Sequence, residues 1–363
     1  MPPKDAATTA PPAEGVAAVL EAGLRLGATD WQFRAGEPAY LRVAGEIRPA
    51  SAPPLPETEL RGFATRMLGR AIPHPAELDA TFDHGGERFR LHAYTAEGAF
   101  CFTLRHLPGR LPELAALGVP PAFASKALGG PPGLILVTGP TGSGKSTTLA
   151  AAIDYLNRER AEMILTLEDP IEYRHPHRRS VVRQMEKGRD FADFGAALRG
   201  ALRIDPDAIL VGEMRDQETI AAALMAAETG HRVLATLHAP SAAAAIARVV
   251  GAFPAEHAGE VRVQLASTLV AVLAQQLIHP AGRRRCAAFE LLLSTPGVRH
   301  LVADPAGKHR LLANEIATGH ALGMITMDQS LEDLWRRGRL SRDDALQAAS
   351  QPATLEPLLR RSA

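Results

Sequence analysis

From Val16 the chain sets apolar against polar residues at helical spacing, "VAAVLEAGLRLGA", which predicts an amphipathic helix. Shorter runs follow: "DWQFRAG", "AYLRVAGEIRP" and "RFRLHAYTAEGAFCFTLRHL". They alternate with a period near two and predict strands joined by glycine-containing turns, with a helix over "ETELRGFATRML" between them. A small α/β domain over residues 16–107 accounts for this stretch. The residues before it, 1–15, are rich in Pro, Ala and Thr and predict a flexible tail.

The pattern then changes. "PGRLPELAALGVPP", residues 108–121, holds four prolines and two glycines and predicts a linker. Beyond it, near-continuous apolar strands alternate with helices: "GLILVTG", "MILTLEDP", "AILVGE" and "RVLATLH". Such strands are buried on both faces, so a parallel sheet covered by helices on each side is expected over residues 122–286. The apolar run "VQLASTLVAVLAQQLI" (263–278) suits a buried helix. Residues 287–363 read as a helical C-terminal part, in which "SRDDALQAA" offers a helix cap, Ser341 standing three residues before Asp344.

Length and composition bound the reading. A chain of 363 residues is comfortable for two domains. Basic and acidic residues balance at 40 each, and no aromatic and basic stripe marks the N-terminal domain, so nucleic acid is not an expected partner. The two cysteines, Cys101 and Cys286, offer no metal spacing and suit a reducing cytosol. No apolar run reaches the roughly 20 residues of a membrane helix, and no secretion signal is visible.

Chemistry enters at "GLILVTGPTGSGKSTTLAAAIDYLN". Residues Gly139, Pro140, Thr141, Gly142, Ser143, Gly144, Lys145 and Ser146 fit G-x-x-x-x-G-K-[ST], followed by Thr147, between a predicted strand and a predicted helix. Gly142 and Gly144 remove side chains so that backbone N–H groups can curl around phosphate oxygens. The helix beginning near Lys145 turns its positive end to the same anion. Lys145 supplies charge between the terminal phosphates, and Ser146 a hydroxyl ligand for Mg2+. The pattern predicts a site for a nucleoside triphosphate.

"ILVGEMRD" raises a question. The place where a magnesium-binding acid usually ends a strand is occupied by Gly212, and the first carboxylate is Glu213. Its strand, Ala208–Val211, is expected beside the phosphate-loop strand, from where Glu213 could orient or deprotonate a water. Alternatively it is a helix-start acid, because "RDQETIAAALMAAETG" is helical. "LTLEDPIEYRH" sets Glu168, Asp169 and Glu172 beyond another strand, at the sheet edge where ligands bind in such folds. His231 and His238 flank the strand Arg232–Leu237 and suggest phosphate sensing, not metal.

These motifs, with "RVVGAFP", "LAQQLI" and "GMITMDQSL", resemble the secretion and pilus motor ATPases, and within them the PilT-type pilus-retraction ATPases. The resemblance runs from about Gly15 to Leu340. It implies a PAS-like N-terminal domain followed by a RecA-like P-loop ATPase domain. It makes Glu213 the catalytic glutamate of an atypical Walker B motif, Glu172 the acid nearest the nucleotide, and Thr229–His238 a histidine box. It implies a hexameric ring in which arginines of the N-terminal domain complete a neighbour's site. Arg88, Arg90 and Arg105 match those positions; otherwise they are strand arginines paired with acids. It further implies an inner-membrane pilus platform protein and a paralogous retraction ATPase as partners, and a cytoplasmic protein held at the pilus base.

The sequence departs from that pattern in places. "QMEKG" (Gln184–Gly188) stands for the usual "QREVG", "GVRHLV" (Gly297–Val302) for "AIRNLI", and "TLHA" and "DWQF" for "TLHT" and "DLHL". The last two resemble the PilU-type accessory paralogue, whereas "RIDPD" and "GMITMDQSL" favour retraction ATPases. A pilus-assembly or type II secretion ATPase is disfavoured, since those relatives carry a longer N-terminal extension and commonly a four-cysteine insertion. A nucleic-acid translocase on the same core, and a partner that binds ATP without hydrolysing it, are the readings of other kinds.

Overall fold

The computed structural model describes residues 15–107, 109, 111–280 and 285–359. The tail expected over 1–15 lies, Gly15 apart, outside the described residues. Contacts between Cα atoms divide the chain into two compact units, Met1–Arg110 and Leu111–Ala363.

The first unit runs α1 (Val16–Arg25), β1 (Ala28–Arg34), β2 (Tyr40–Val43), β3 (Glu46–Pro49), α2 (Glu57–Leu68), β4 (Glu77–His84), β5 (Glu87–Ala96) and β6 (Ala99–Leu107). Its six strands form one sheet in the order β3-β2-β1-β6-β5-β4. Alternation does the sorting. Phe89, Leu91 and Ala93 of β5 join Trp31, Phe102 and Leu104 in a core closed by Val19 and Leu20 of α1 and Leu60 and Phe63 of α2. Each large side chain removed from water in this way stabilises the unit by roughly 1.5–3 kcal/mol. Period two sends Arg88, Arg90 and His92 to the opposite face.

The second unit continues with α3 (Leu114–Leu117), β7 (Gly133–Thr138), α4 (Lys145–Glu159), β8 (Met163–Glu168), β9 (Val181–Glu186), α5 (Phe194–Ala201), β10 (Ala208–Val211), α6 (Gln217–Glu228) and β11 (Arg232–Leu237). Then come α7 (Ala242–Gly251), α8 (Ala258–Thr268), β12 (Leu269–Ile278), β13 (Cys286–Leu293), α9 (Pro296–Ala303), α10 (Leu312–Thr318), α11 (Met327–Arg336), α12 (Arg342–Ala348) and α13 (Pro352–Leu358). Seven strands lie in the order β13-β12-β7-β11-β10-β8-β9. Pairing is parallel except at β13, which runs antiparallel to β12. Every residue of β7, β10 and β11 is buried, as their unbroken apolar runs require.

Four expectations are corrected. The run 263–278 is not one helix: α8 ends at Thr268 and Leu269–Ile278 is a strand paired with β7 and β13. A short apolar run does not distinguish strand from buried helix, and the pairing decides it. The sheet extends to Leu293, so the helical part does not begin at residue 287. The second half of the proline-rich stretch is not a free linker, because Leu114 and Val119 are buried in the core of the second unit. Finally, β10 is not next to the phosphate-loop strand β7; β11 lies between them. The cap read in "SRDDALQAA" is present, with Ser341 and Asp344 making reciprocal bonds at the start of α12. Among the described residues no helix is long and apolar enough to cross a membrane.

Candidate active site

The phosphate loop leaves the C-terminal end of β7 and turns at Gly144 into α4. Lys145 is buried, and its ammonium donates to the carbonyl oxygens of Gly139 at 2.9 Å and Pro140 at 3.0 Å. Burial pulls its pKa below the ordinary lysine value, and the nearby Glu213 carboxylate opposes that pull. A desolvated ammonium folded onto loop carbonyls is poised to exchange them for a stronger anionic acceptor. Ser146 is exposed on the first turn of α4. Thr147 Oγ1 lies 3.0 Å from the buried Tyr173 hydroxyl, which ties α4 to the acidic segment after β8.

Strand order explains how the other residues arrive. With β11 between β7 and β10, the end of β11 stands between the phosphate loop and Glu213. His238 follows β11 there. Its place is fixed by Thr138 at the end of β7, whose hydroxyl accepts from Ala239 N–H at 2.9 Å and donates to the Ala239 carbonyl at 2.7 Å. His238 Nε2 lies 2.9 Å from Glu213 Oε1, and Arg215 Nε lies 2.6 Å from the same oxygen. Glu213 is itself held by backbone: Met214 N–H donates to the Thr236 carbonyl at 3.1 Å, and Gly212 N–H to the Leu167 carbonyl at 2.8 Å. A Cβ at residue 212 would stand 3.1 Å from the Leu167 oxygen, so a side chain there would need this crossing to open by a few tenths of an ångström. The helix-start acid is Asp216, which accepts from Thr219 N–H at 2.8 Å and caps α6. Glu213 has no part in that cap.

The remaining candidates separate. Glu168 is engaged by Thr166 Oγ1 at 2.7 Å and Gln184 Nε2 at 3.0 Å, and Asp169 by Lys187 at 3.4 Å. Glu172, half-buried, takes no ion pair or hydrogen bond from the described residues. His231 is not brought to the loop. It precedes β11 and sits at the other end of that strand, roughly 20 Å from His238 at about 3.3 Å per residue. There its Nδ1 lies 3.0 Å from the Ala226 carbonyl and 3.1 Å from Thr229 Oγ1, at the end of α6. In a single subunit its contacts are those of a helix end.

Arg88, Arg90 and Arg105 belong to the first unit, and each meets an acid of its own sheet. Arg88 reaches Asp83 at 3.0 Å and Thr81 at 2.7 Å, Arg90 reaches Asp79 at 3.2 Å, and Arg105 reaches Asp30 at 2.7 Å. Arg90 and Arg105 are cross-strand partners. Arg88 is buried, which suits an anchored structural arginine, whereas Arg105 is well exposed.

Sequence reasoning assigned no role to Arg215, Tyr173 or Gln275. Arg215 was visible only as a charge in "GEMRD". Gln275 was visible as a polar interruption in the apolar run "VAVLAQQLI".

The donor set fits Mg2+. A serine hydroxyl beside phosphate-binding N–H groups, with carboxylates across the sheet edge, suits a hard cation that keeps most of its water. Among the described residues no cluster of His, Cys, Asp and Glu builds a metal cage.

Comparison with known proteins agrees with this architecture. Residues 64–351 match the family described as type II/IV secretion system proteins. The chain is 42% identical to the type IV pilus retraction ATPase PilT of Pseudomonas aeruginosa, over 92% of this chain and 98% of that one. It is 36% identical to the type IV pilus ATPase PilU of the same organism, over 92% of this chain and 88% of that one. A crystal structure of the pilus retraction motor PilT with bound ADP superposes with a TM-score of 0.83 at 36% identity, covering 95% of this chain and all of that one. The chain belongs to the type II/IV secretion system protein family, within its branch of type IV pilus retraction ATPases.

Proposed function

We propose that this chain is the subunit of a hexameric ring motor that hydrolyses ATP to retract a type IV pilus. The observation that carries the reading is the convergence of Lys145, His238 and Glu213 at one edge of the sheet. Lys145 exchanges its loop carbonyls for the terminal phosphates. Glu213 orients and polarises the attacking water, His238 steadies that carboxylate, and Glu172 is the second acid facing the nucleotide. Ser146 holds Mg2+, which when bound neutralises phosphate charge. Arg105 and Arg90 serve a neighbouring subunit's nucleotide, exchanging their own aspartates for phosphate oxygens as arginine fingers do. The ring docks on a pilus platform protein at the inner membrane.

The accessory, PilU-like role is the second reading, favoured by "TLHA" and "DWQF". The higher identity to the retraction ATPase than to the accessory one weighs against it. Surface pili and motility in the native host carrying Glu213→Gln test the choice. More pili with motility lost supports a retraction motor. Fewer pili indicates an assembly ATPase, and an unchanged count an accessory one.

A further inference from the structure

Gln275 lies on β12, one residue beyond the Ala274↔Thr138 pairing with β7, so it sits against the start of the phosphate loop. It is 3% exposed. Its Nε2 donates to the Ser143 carbonyl at 2.5 Å. The opposite amide orientation would set oxygen against oxygen, so the acceptor fixes which end faces the loop. Its Oε1 is buried with no hydrogen-bond partner among the described residues. A half-satisfied buried amide costs stability where an apolar residue would not. Its buried place in a mostly apolar interior strand therefore calls for a role other than holding the core together.

Backbone contacts around it are equally close. A Cβ at Gly139 would stand 2.3 Å from the Gln275 carbonyl oxygen, and one at Gly144 would stand 3.2 Å from Gln275 Nε2. Gly139 and Gly144 also have φ of 150° and 90°. Both glycines thus serve the approach of β12 to the loop as well as its turn.

The consequence follows from peptide geometry. The Ser143–Gly144 peptide is planar and trans, so its C=O and N–H point in opposite directions. Drawing the Ser143 oxygen toward β12 turns the Gly144 N–H away from β12. That N–H opens α4 and donates to no group among the described residues. It is an orphan donor of a helix start, aimed by the side chain that holds the carbonyl end of the same peptide.

We infer that Gln275 is a positioning residue of the phosphate loop: its buried amide pins the Ser143–Gly144 peptide with the N–H presented to the nucleotide phosphates. It sets nucleotide affinity without touching the nucleotide. The inference rests on the phosphate-loop reading above, and Lys145→Ala separates the two.

The test is a titration of the full chain with fluorescent mant-ADP and Mg2+, beside steady-state ATPase kinetics and thermal melting without nucleotide. Gln275→Leu removes both the donor and the unpaired acceptor. Its expected effect is a Kd and KM raised about tenfold with kcat within about threefold, the loss of one oriented hydrogen bond. Its melting temperature without nucleotide is expected to be equal to or above that of the natural chain. Gln276→Leu, one residue along the same strand, is expected to change none of these. Gln275→Glu gives a second, independent readout. It should bind weakly at pH 8 and recover as the pH falls and the carboxyl regains a proton to donate.

A Gln275→Leu protein that binds mant-ADP within about twofold of the natural chain overturns the inference, since an oriented hydrogen bond is worth more than that. So does Gln275→Glu binding that is weak and flat in pH. If Lys145→Ala also binds normally, the phosphate-loop reading itself has failed.

Discussion

His238 Nε2 and Glu213 Oε1 are 2.9 Å apart although their strands, β11 and β10, contribute them from different crossovers. The contact exists because β11 is inserted between the phosphate-loop strand and the strand of Glu213. A carboxylate held by a histidine has fewer orientations to choose among when it meets a water. His238→Ala should therefore lower kcat about tenfold while leaving mant-ADP affinity near that of the natural chain, the loss of one contact to a charged group. A parallel loss of affinity would place His238 on the nucleotide instead.

Acid should destabilise the second unit through His175. This side chain is buried, and burial, opposed by Asp154, lowers its pKa to about 4. Unfolded, it titrates near 6.5, so between pH 6.5 and about 4 the unfolded chain binds more protons than the folded one. Stability contributed by the neutral ring is present above pH 6.5 and is lost as the pH falls toward 4. The loss is on the order of 3 kcal/mol at most. His175→Phe should flatten the pH dependence of urea unfolding in that window, and an unchanged slope would refute the assignment.

Much of the site was legible because its signals are local. The phosphate loop needs eight consecutive residues, a strand before and a helix after, and all lie within "GLILVTGPTGSGKSTTLAA". The capping box at Ser341 and Asp344 is equally local. Strand order is not. A parallel sheet allows several orders for the same strands, and nothing within "AILVGE" says that β11 will lie between β10 and β7. The run ending at Ile278 was misread for a related reason, since its character is set by pairing with β7. His231 was placed with His238 because both flank one strand, yet a strand's two ends face opposite edges of the sheet. Gln275 is not singled out because a pair of glutamines in an apolar run gives no indication of what either one faces.

Tyr173 joins the acidic segment to the phosphate-loop helix through Thr147. Its hydroxyl is buried, and that burial raises its pKa. Tyr173→Phe deletes the link without opening a cavity. We expect a loss of about 1 kcal/mol, read as a fall of about 2–4 °C in the melting temperature. Calorimetry showing no change would mean that Thr147 finds another partner at no cost.

Mixed assemblies test whether Arg105 acts on a neighbour. An Arg105→Ala subunit keeps its own Glu213, and a Glu213→Gln subunit keeps its Arg105. If the arginine serves the adjoining subunit, mixing two nearly inactive variants should restore part of the ATPase rate. Should the mixture stay as inactive as its components, Arg105 belongs to its salt bridge with Asp30 and to nothing else.

The most direct test of the central claim compares Glu213→Gln with the natural chain in two assays on one preparation, steady-state ATP hydrolysis and mant-ADP binding. The exchange removes the charge and leaves the shape. If Glu213 activates the water, hydrolysis falls by about 10²–10⁴-fold while binding stays within a few-fold. Hydrolysis at the natural rate, with binding intact, would contradict the account.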